Sequence, residues 1–501
     1  MEMCLTVKSK RCGKTTTGVL LVCFSGVFLA GCAVGPDYQK PRVDVPDQWR
    51  QHIVERLSDA NSLDHQWWEN FDDPELTNLI EKASTGNLTA RQAVLRINQA
   101  RAAVDIAAGR YYPDVYGVGS YSRVKESENN YSSSSRSFSG LFDPTDYYSA
   151  GLDASWEIDV FGRISRGVES AAASYEANVE NYHDTLVSLY AEIAINYANL
   201  RTTQKRLLYA RKNIKIQQNT LKLTKDLYQA ELVPGLDIEQ AKLNLANTEA
   251  LVPDLFILED QILNRLAVLT GQYPGSLSEE LKTVSEVPVY VKDIDVGLPV
   301  NLIRQRPDIR RTERQLAAQT AEIGVAAAEL YPSFSLSGTF AYKSTETGNL
   351  FNSSSESYRF GPSMRWNLFS GGRIRSNVKL QKLLRDEVYL QYKNTVLRAV
   401  EEVENALVEY KQKLKRTKAL AESVQASEKS TKLVDELYRN GLTDFQNVLD
   451  MQRTLSLQQD NLAQSRGDII KSIIRIYKAL GGGWEYDKLR FGGTDFVSRE
   501  S

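Results

Sequence analysis

Histidine is almost missing: His52, His65 and His183 are scattered over 501 residues. A histidine-based metal or acid–base site therefore has very little to draw on. Sulfhydryl chemistry is confined to the start, where Cys4, Cys12, Cys23 and Cys32 are the only cysteines. No disulfide framework can form within residues 33–501. Charge of one sign is lacking too. The 61 Lys and Arg face 63 Asp and Glu, a formal net charge of −2, without the basic excess of a phosphate binder. No nucleophile–base pair or Gly-rich phosphate loop is found. Gly13-Lys14-Thr15 lacks the upstream Gly that such a loop needs. An enzyme, a cofactor, a metal and a nucleic-acid partner are all unexpected.

What is present begins with a leader. Lys8, Lys10, Arg11 and Lys14 form a basic head, and residues 19–30 are mostly apolar, too few for a comfortable transmembrane helix. Leu29-Ala30-Gly31-Cys32 resembles a bacterial lipobox. That resemblance implies cleavage before Cys32, a covalent lipid on its sulfur and, with Ala33 next and not Asp, sorting to the outer membrane. A plain cleaved signal is the alternative.

The rest is written twice. An offset of 210 residues carries Trp156 onto Trp366, Leu227-Tyr228 onto Leu437-Tyr438, Arg265 onto Arg475 and Gly271 onto Gly481. Upstream, Tyr112-Pro113 matches Tyr331-Pro332 at an offset of 219, so nine extra residues lie in the Ser-rich stretch of the first copy. The expected organisation is a signal peptide over 1–31 and a lipidated N-terminal segment over 32–77 that packs at the equatorial region. Repeat one follows over 78–275, a linker over 276–300, repeat two over 301–481 and a tail over 482–501.

Each copy opens with a helix rich in helix-permissive residues, over 87–112 and 308–331, ended by Tyr-Pro. The hydrophobic period then changes to two along 115–121, 148–159, 333–343 and 358–368, which predicts strands with one apolar and one wet face. The wet face carries Asp153, Glu157, Arg359 and Arg365, the candidate lumen residues. The strand lengths suit a tilted crossing of a bilayer, although a small soluble sheet packed on helices would alternate in the same way. Polar loops over 123–146 and 344–357 join each pair.

A long helical stretch follows each pair. Its stripe steps alternately by four and three, from Val179 to Tyr228 and from Val396 to Val424, the sign of left-handed supercoiling against neighbours. A helix of this kind spans about 100 Å at 1.5 Å per residue. Thr, Asn, Gln and Ala dilute the stripe, which suits a wide ring of helices better than a tight pair. Turns follow at Leu232-Val233-Pro234-Gly235 and Asn440-Gly441-Leu442-Thr443. Return helices are expected over 237–270 and 445–480.

Four membrane-length strands cannot close around a lumen, and an open edge in lipid leaves unpaired backbone groups. Two chains supply eight strands, whose interior side chains fill; three supply twelve, enough for a passage. The expectation is a mixed α and β membrane protein. It forms a homotrimeric 12-stranded β-barrel, four strands per protomer, continued by a periplasmic α-helical coiled-coil barrel. A periplasmic scaffold lipoprotein that never forms a pore is a second reading.

The chain resembles the TolC/OprM outer-membrane factors in their NodT-like lipoprotein branch. The resemblance rests on Cys32-Ala33-Val34-Gly35-Pro36-Asp37-Tyr38, on Trp67-Trp68-Glu69-Asn70-Phe71-Asp72-Asp73-Pro74-Glu75-Leu76 and on Arg306-Pro307-Asp308-Ile309-Arg310. It implies a passive export duct docked to a periplasmic adaptor and an inner-membrane pump, usually of the RND type. A duct for protein secretion stays open beside small-molecule efflux. The resemblance also implies a closed periplasmic end held by Asp237 with Tyr438 and by Asp450 with Arg453. Thr443 stands where some members carry Arg, and Asn447 where some carry a second ring Asp. Leu232, Val233, Leu442 and Thr443 are candidate adaptor contacts on expected exposure.

Overall fold

The structure, a computed structural model, describes residues 33–50, 57–58, 66–127, 143–283, 287–288, 290, 294–295, 302 and 305–485. The leader and Cys32 lie outside the described residues. The chain divides into two compact units, one of Met1–Lys40, Ala100–Tyr175 and Arg314–Tyr389 and one of Pro41–Gln99, Glu176–Glu313 and Leu390–Ser501.

The first unit holds a four-stranded antiparallel sheet. Two short paired segments, β1 (Leu57–Ser58) and β4 (Ile294–Asp295), lie elsewhere. The sheet is built from β2 (Asp114–Val124), β3 (Thr145–Ile158), β5 (Ser333–Ser344) and β6 (Glu356–Arg365), in the order β2-β3-β5-β6. The strand expected over 358–368 runs short: Trp366, Asn367 and Leu368 fall beyond β6. Both hairpins start where Tyr-Pro stops a helix. Trp156 donates its indole N–H to the Tyr111 carbonyl at 2.9 Å, and its counterpart Trp366 donates to the Leu330 carbonyl at 3.1 Å. The same bond thus ties each pair of strands to its preceding helix.

Residues 33–38 also lie in this unit. Arg166 pairs with Asp37 at 2.6 Å, and the Val34 amide donates to the Phe161 carbonyl at 3.1 Å. Gly35 touches Gly324 so closely that a Cβ on Gly35 would come 2.5 Å from the Gly324 Cα. Two side-chain-free residues are what let this strap lie against a helix.

The helices are α1 (Pro74–Gly86), α2 (Leu88–Gly109), α3 (Arg163–Gln229), α4 (Gly235–Glu249), α5 (Leu251–Leu269), α6 (Pro307–Ala328), α7 (Arg373–Arg439) and α8 (Phe445–Leu480). α3 and α7 are 67 residues each and begin and end 210 residues apart. Helix α1 is additional to the expected set, started by Asp73, whose carboxylate accepts from the amides of Glu75 and Leu76. The first return helix, expected unbroken, is broken at Ala250. Pro253 explains the break, since its ring has no N–H for the Glu249 carbonyl four residues back. The second return helix has Ala463 at the corresponding place and runs unbroken.

In the second unit most of the expected stripe is buried between Tyr182 and Thr224, both 0% exposed, with Asn196, Ile214 and Leu221 half-buried. Polar layers replace an all-apolar seam there. Asn213 donates to Gln459 at 3.1 Å, and Gln452 donates to Thr220 at 2.8 Å. Such bonds fix which turns of the helices face each other, because a slip would strand buried amides. An aromatic cluster closes the core: Trp67 stacks on Tyr477 at 5.5 Å and meets Trp68 edge-on at 5.6 Å. The Trp67–Phe71 stretch is therefore packing machinery.

Candidate functional site

Register sorts the sheet into two chemistries. On one face Asp153, Thr339 and Arg359 stand in one cross-strand row, and Glu157, Ser335 and Ser363 in another. Arg365 lies opposite Ser333 on the same face. The four expected lumen residues thus share one polar face. Glu157 is the least free of them, because Arg163 grips its carboxylate in a fork with one N–H bond of 2.8 Å. The opposite face carries Leu152, Phe340 and Tyr358 in one row, 53%, 43% and 70% exposed. Trp156, Leu336 and Pro362 form the next such row. An exposed sheet face this apolar needs a nonaqueous neighbour. Edge strands β2 and β6 each have one hydrogen-bonded neighbour among the described residues. Among those residues no helix is long and apolar enough to cross a membrane.

The second unit holds the two turns after α3 and α7, built alike. The Leu232 amide donates to the Leu227 carbonyl at 3.0 Å, and the Leu442 amide to the Leu437 carbonyl at 2.9 Å. Leu232 and Leu442, 70% and 71% exposed, project at equivalent positions. Val233 and Thr443 do not fit the expectation of exposure and are half-buried. Val233 packs on the cluster of Ala241, Tyr438, Phe445, Val448 and Leu449.

Tyr438 and Asp237 are brought together as expected. The phenol donates to the Asp237 carboxylate at 3.4 Å, a long bond. Burial pushes the Tyr438 pKa up; a hydrogen bond with Thr224 opposes this and the charge of Asp237 adds to it. Burial also raises the Asp237 pKa, the bond from Tyr438 opposes it, and the charge of Asp444 raises it further. Asp450 and Arg453 form only a loose pair at 3.9 Å with both side chains about half exposed. Arg453 turns instead toward Asn244, at 3.3 Å, and Asp450 accepts from Gln446 at 2.9 Å. The two noted departures meet: Asn447 donates to the Thr443 hydroxyl at 2.9 Å.

Arg201 was not anticipated. It is 0% exposed, pairs with Glu75, donates to the Thr283 carbonyl at 2.8 Å and to Gln204 at 2.7 Å. Burial pushes its pKa down, against the charges of Asp73 and Glu259. A cation beside the stripe residue Leu200 reads as a wet face, so spacing alone conceals it.

A sheet with one apolar and one polar face, each edge strand having a single neighbour among the described residues, in a chain with twin helices of 67 residues, fits the subunit of an outer-membrane channel. Comparison with known proteins agrees. Residues 79–272 and 298–482 match the family described as outer membrane efflux protein. Nodulation protein T of Rhizobium leguminosarum bv. trifolii is 32% identical over 465 residues, which cover 92% of this chain and 96% of that protein. The probable efflux pump outer membrane protein TtgC of Pseudomonas putida is 29% identical over 474 residues, 94% of this chain and 96% of that one. Among solved structures, the outer-membrane channel OprN superposes with a TM-score of 0.84 at 34% identity, covering 91% of this chain and 100% of that one. The chain belongs to the outer membrane efflux protein family. Its place is the outer membrane and its activity is efflux.

Proposed function

We propose that three copies of this chain form one passive duct that carries small molecules across the periplasm and the outer membrane. It works with a periplasmic adaptor and an inner-membrane transporter of the RND type. The observation that carries this is the four-stranded sheet, whose edges β2 and β6 are open and whose apolar face is exposed. Lipid covers that face, and two further copies satisfy the edges, because backbone groups in hydrocarbon must be paired. The polar face with Asp153, Glu157, Arg359 and Arg365 then lines water. A lipid on Cys32 anchors each copy beside the barrel, with residues 33–38 strapped down as its tether.

The periplasmic end is held shut by Tyr438 with Asp237 and by Asp450 with Arg453. Leu232 and Leu442 at the exposed turns meet the adaptor, and Val233 and Thr443 support them from behind. Each latch contact is partly exposed and contributes about 0–1 kcal/mol, so the gate is held by several weak contacts. In planar bilayers Asp450→Ala combined with Tyr438→Phe raises single-channel conductance. Unchanged conductance removes these residues from the gate, and the absence of any channel from wild type removes the duct.

A further inference from the structure

Arg453 is held from behind by a line of polar side chains. It gives its Nε–H to Asn244 on α4 at 3.3 Å, while its Nη1 lies 3.9 Å from Asp450. The Asn244 amide donates to Gln452 on α8 at 3.3 Å, and the Gln452 amide donates to Thr220 on α3 at 2.8 Å. Thr220, Asn244 and Gln452 are all buried. The line runs from α3 to α8 to α4 and back to α8, wholly within one chain.

The direction of every bond follows from the first member. The Thr220 hydroxyl donates its single hydrogen to the Ile216 carbonyl one turn back, at 3.1 Å. Its oxygen can then only accept. Gln452 must therefore turn its NH2 group to Thr220, which leaves its carbonyl oxygen facing Asn244. Asn244 must present its own NH2 group to that oxygen, which leaves its carbonyl oxygen facing Arg453. A flip of either amide would set like against like in a buried place, where an unmade bond costs most. The line thus ends in an acceptor of fixed aim, and the group at that end is a guanidinium, which only donates.

The following rests on the reading that Arg453 helps to hold the periplasmic end shut. We propose that Thr220, Gln452 and Asn244 are positioning residues for Arg453: they hold its Nε and leave its two terminal nitrogens to act at the closure. A half-exposed arginine free in water spreads over many rotamers, and fixing one would cancel much of the small gain of an exposed ion pair. The relay makes that restriction in advance, with atoms that are buried and already paired.

Two further features fit. Asp237, Ala241, Asn244 and Thr248 step by four, three and four, so they share one face of α4. Ala241 is buried there in the cluster of Tyr438, Phe445, Val448 and Leu449. The tie from Asp237 to α7 and the tie from Asn244 to α8 therefore sit on the same face of α4, two turns apart. The relay is also private to this place. At an offset of 210, Leu243 stands where Arg453 does, cannot donate from its side chain, and is 55% exposed. The duplicated plan alone does not produce it.

Planar-bilayer recordings on the full-length protein test the relay, read against Arg453→Ala. Arg453→Ala is expected to raise conductance at least as far as any change in the relay. Asn244→Ala is expected to raise it about fivefold, the population shift carried by one hydrogen bond. Thr220→Val keeps the shape of the side chain, removes the acceptor that orients the line, and is expected to raise conductance as well. Thr220→Ser keeps the hydroxyl and is expected to stay at the wild-type level. Should Asn244→Ala fail to assemble, the two Thr220 variants carry the test. Combined with Arg453→Ala, neither Asn244→Ala nor Thr220→Val should add anything, because nothing is left to position. A relay change that raises conductance as much without Arg453 as with it overturns the proposal. Asn244→Ala or Thr220→Val at the wild-type level, beside a raised Arg453→Ala, overturns it too; both results leave the gate reading standing. Arg453→Ala at the wild-type level removes the arginine from the gate, and the relay's part with it.

Discussion

The same carbonyl position is held in both repeats, by different chemistry. Asn87 opens helix α2 and donates its amide to the Leu269 carbonyl at 2.8 Å. Its counterpart at the start of repeat two is Arg306, which donates to the Ala479 carbonyl at 2.7 Å. Leu269 and Ala479 are themselves 210 residues apart. Each site also brings backbones close: a Cβ on Gly271 would come 2.1 Å from the Gly86 oxygen, and one on Gly481 would come 3.0 Å from Arg306. Asn87 then uses its oxygen to cap α2, accepting from the Ala90 amide at 2.9 Å. Arg306 instead reaches Asp308 at 2.7 Å and Glu402 at 2.7 Å. Burial alone would lower its pKa, but these two carboxylates hold the guanidinium protonated well beyond its ordinary range. Repeat one thus closes its helix start locally, while repeat two ties its own to α7.

The largest effect follows from removing the charged version. Arg306→Met leaves Asp308 without its buried partner and is expected to cost about 3 kcal/mol, the low end for a broken buried pair because Glu402 is half in water. The urea midpoint of tryptophan fluorescence reads it. Arg306→Asn makes repeat two resemble repeat one and should cost less than Arg306→Met; an equal loss would mean that the ion pairs carry the whole effect. Asn87→Ala is expected to cost about 2 kcal/mol, combining a helix cap and a buried hydrogen bond of about 1 kcal/mol each.

Much of this plan was legible beforehand. The offset of 210 placed both long helices, and α8 begins at Phe445 and ends at Leu480 as its spacing implies. Strand alternation located all four strands because one face must stay wet while the other stays greasy. The polar clamps were not legible. Arg201 and Arg306 gain their meaning from carboxylates and carbonyls far away in the chain, which helical period cannot reveal. The break at Ala250 had a signal in Pro253 that the apolar run around it concealed. At the tip, exposure was inferred from turn residues alone, whereas Val233 is half-buried and packs against the cluster that holds Tyr438 and Phe445.

The turns sharpen the comparison at smaller energy. Glu231 has φ 61° and its counterpart Gly441 has φ 69°, both left-handed. Only glycine adopts that conformation without a Cβ penalty. Glu231→Gly is expected to stabilise by about 1 kcal/mol, and Gly441→Ala to destabilise by about the same amount. Opposite shifts in the dissociation temperature of the oligomer check both. Shifts of the same sign would show that something other than backbone strain decides these positions.

The smallest effect concerns a latch contact that the repeats do not share. Asp237 corresponds to Asn447, so Asp237→Asn gives the two tips the same residue. Burial first, and then the charge of Asp444, lift the Asp237 pKa above that of an exposed carboxylate, against the bond from Tyr438. An aspartate raised in this way loses its charge, as pH falls, earlier in the folded protein than in the unfolded chain. Its burial penalty is present above the folded pKa and is relieved below it. The bond from Tyr438 behaves oppositely, being strongest to the ionised carboxylate. Tyr438 stays protonated throughout, since its own pKa is raised. Lowering the pH through the Asp237 transition should therefore loosen this contact and raise wild-type conductance. The change is at most about fivefold, the population shift carried by about 1 kcal/mol. Asp237→Asn should sit near the low-pH wild-type level and show no such transition. A variant that titrates like wild type would move the pH response away from Asp237 and leave the Tyr438 hydroxyl with a purely structural part in the tip.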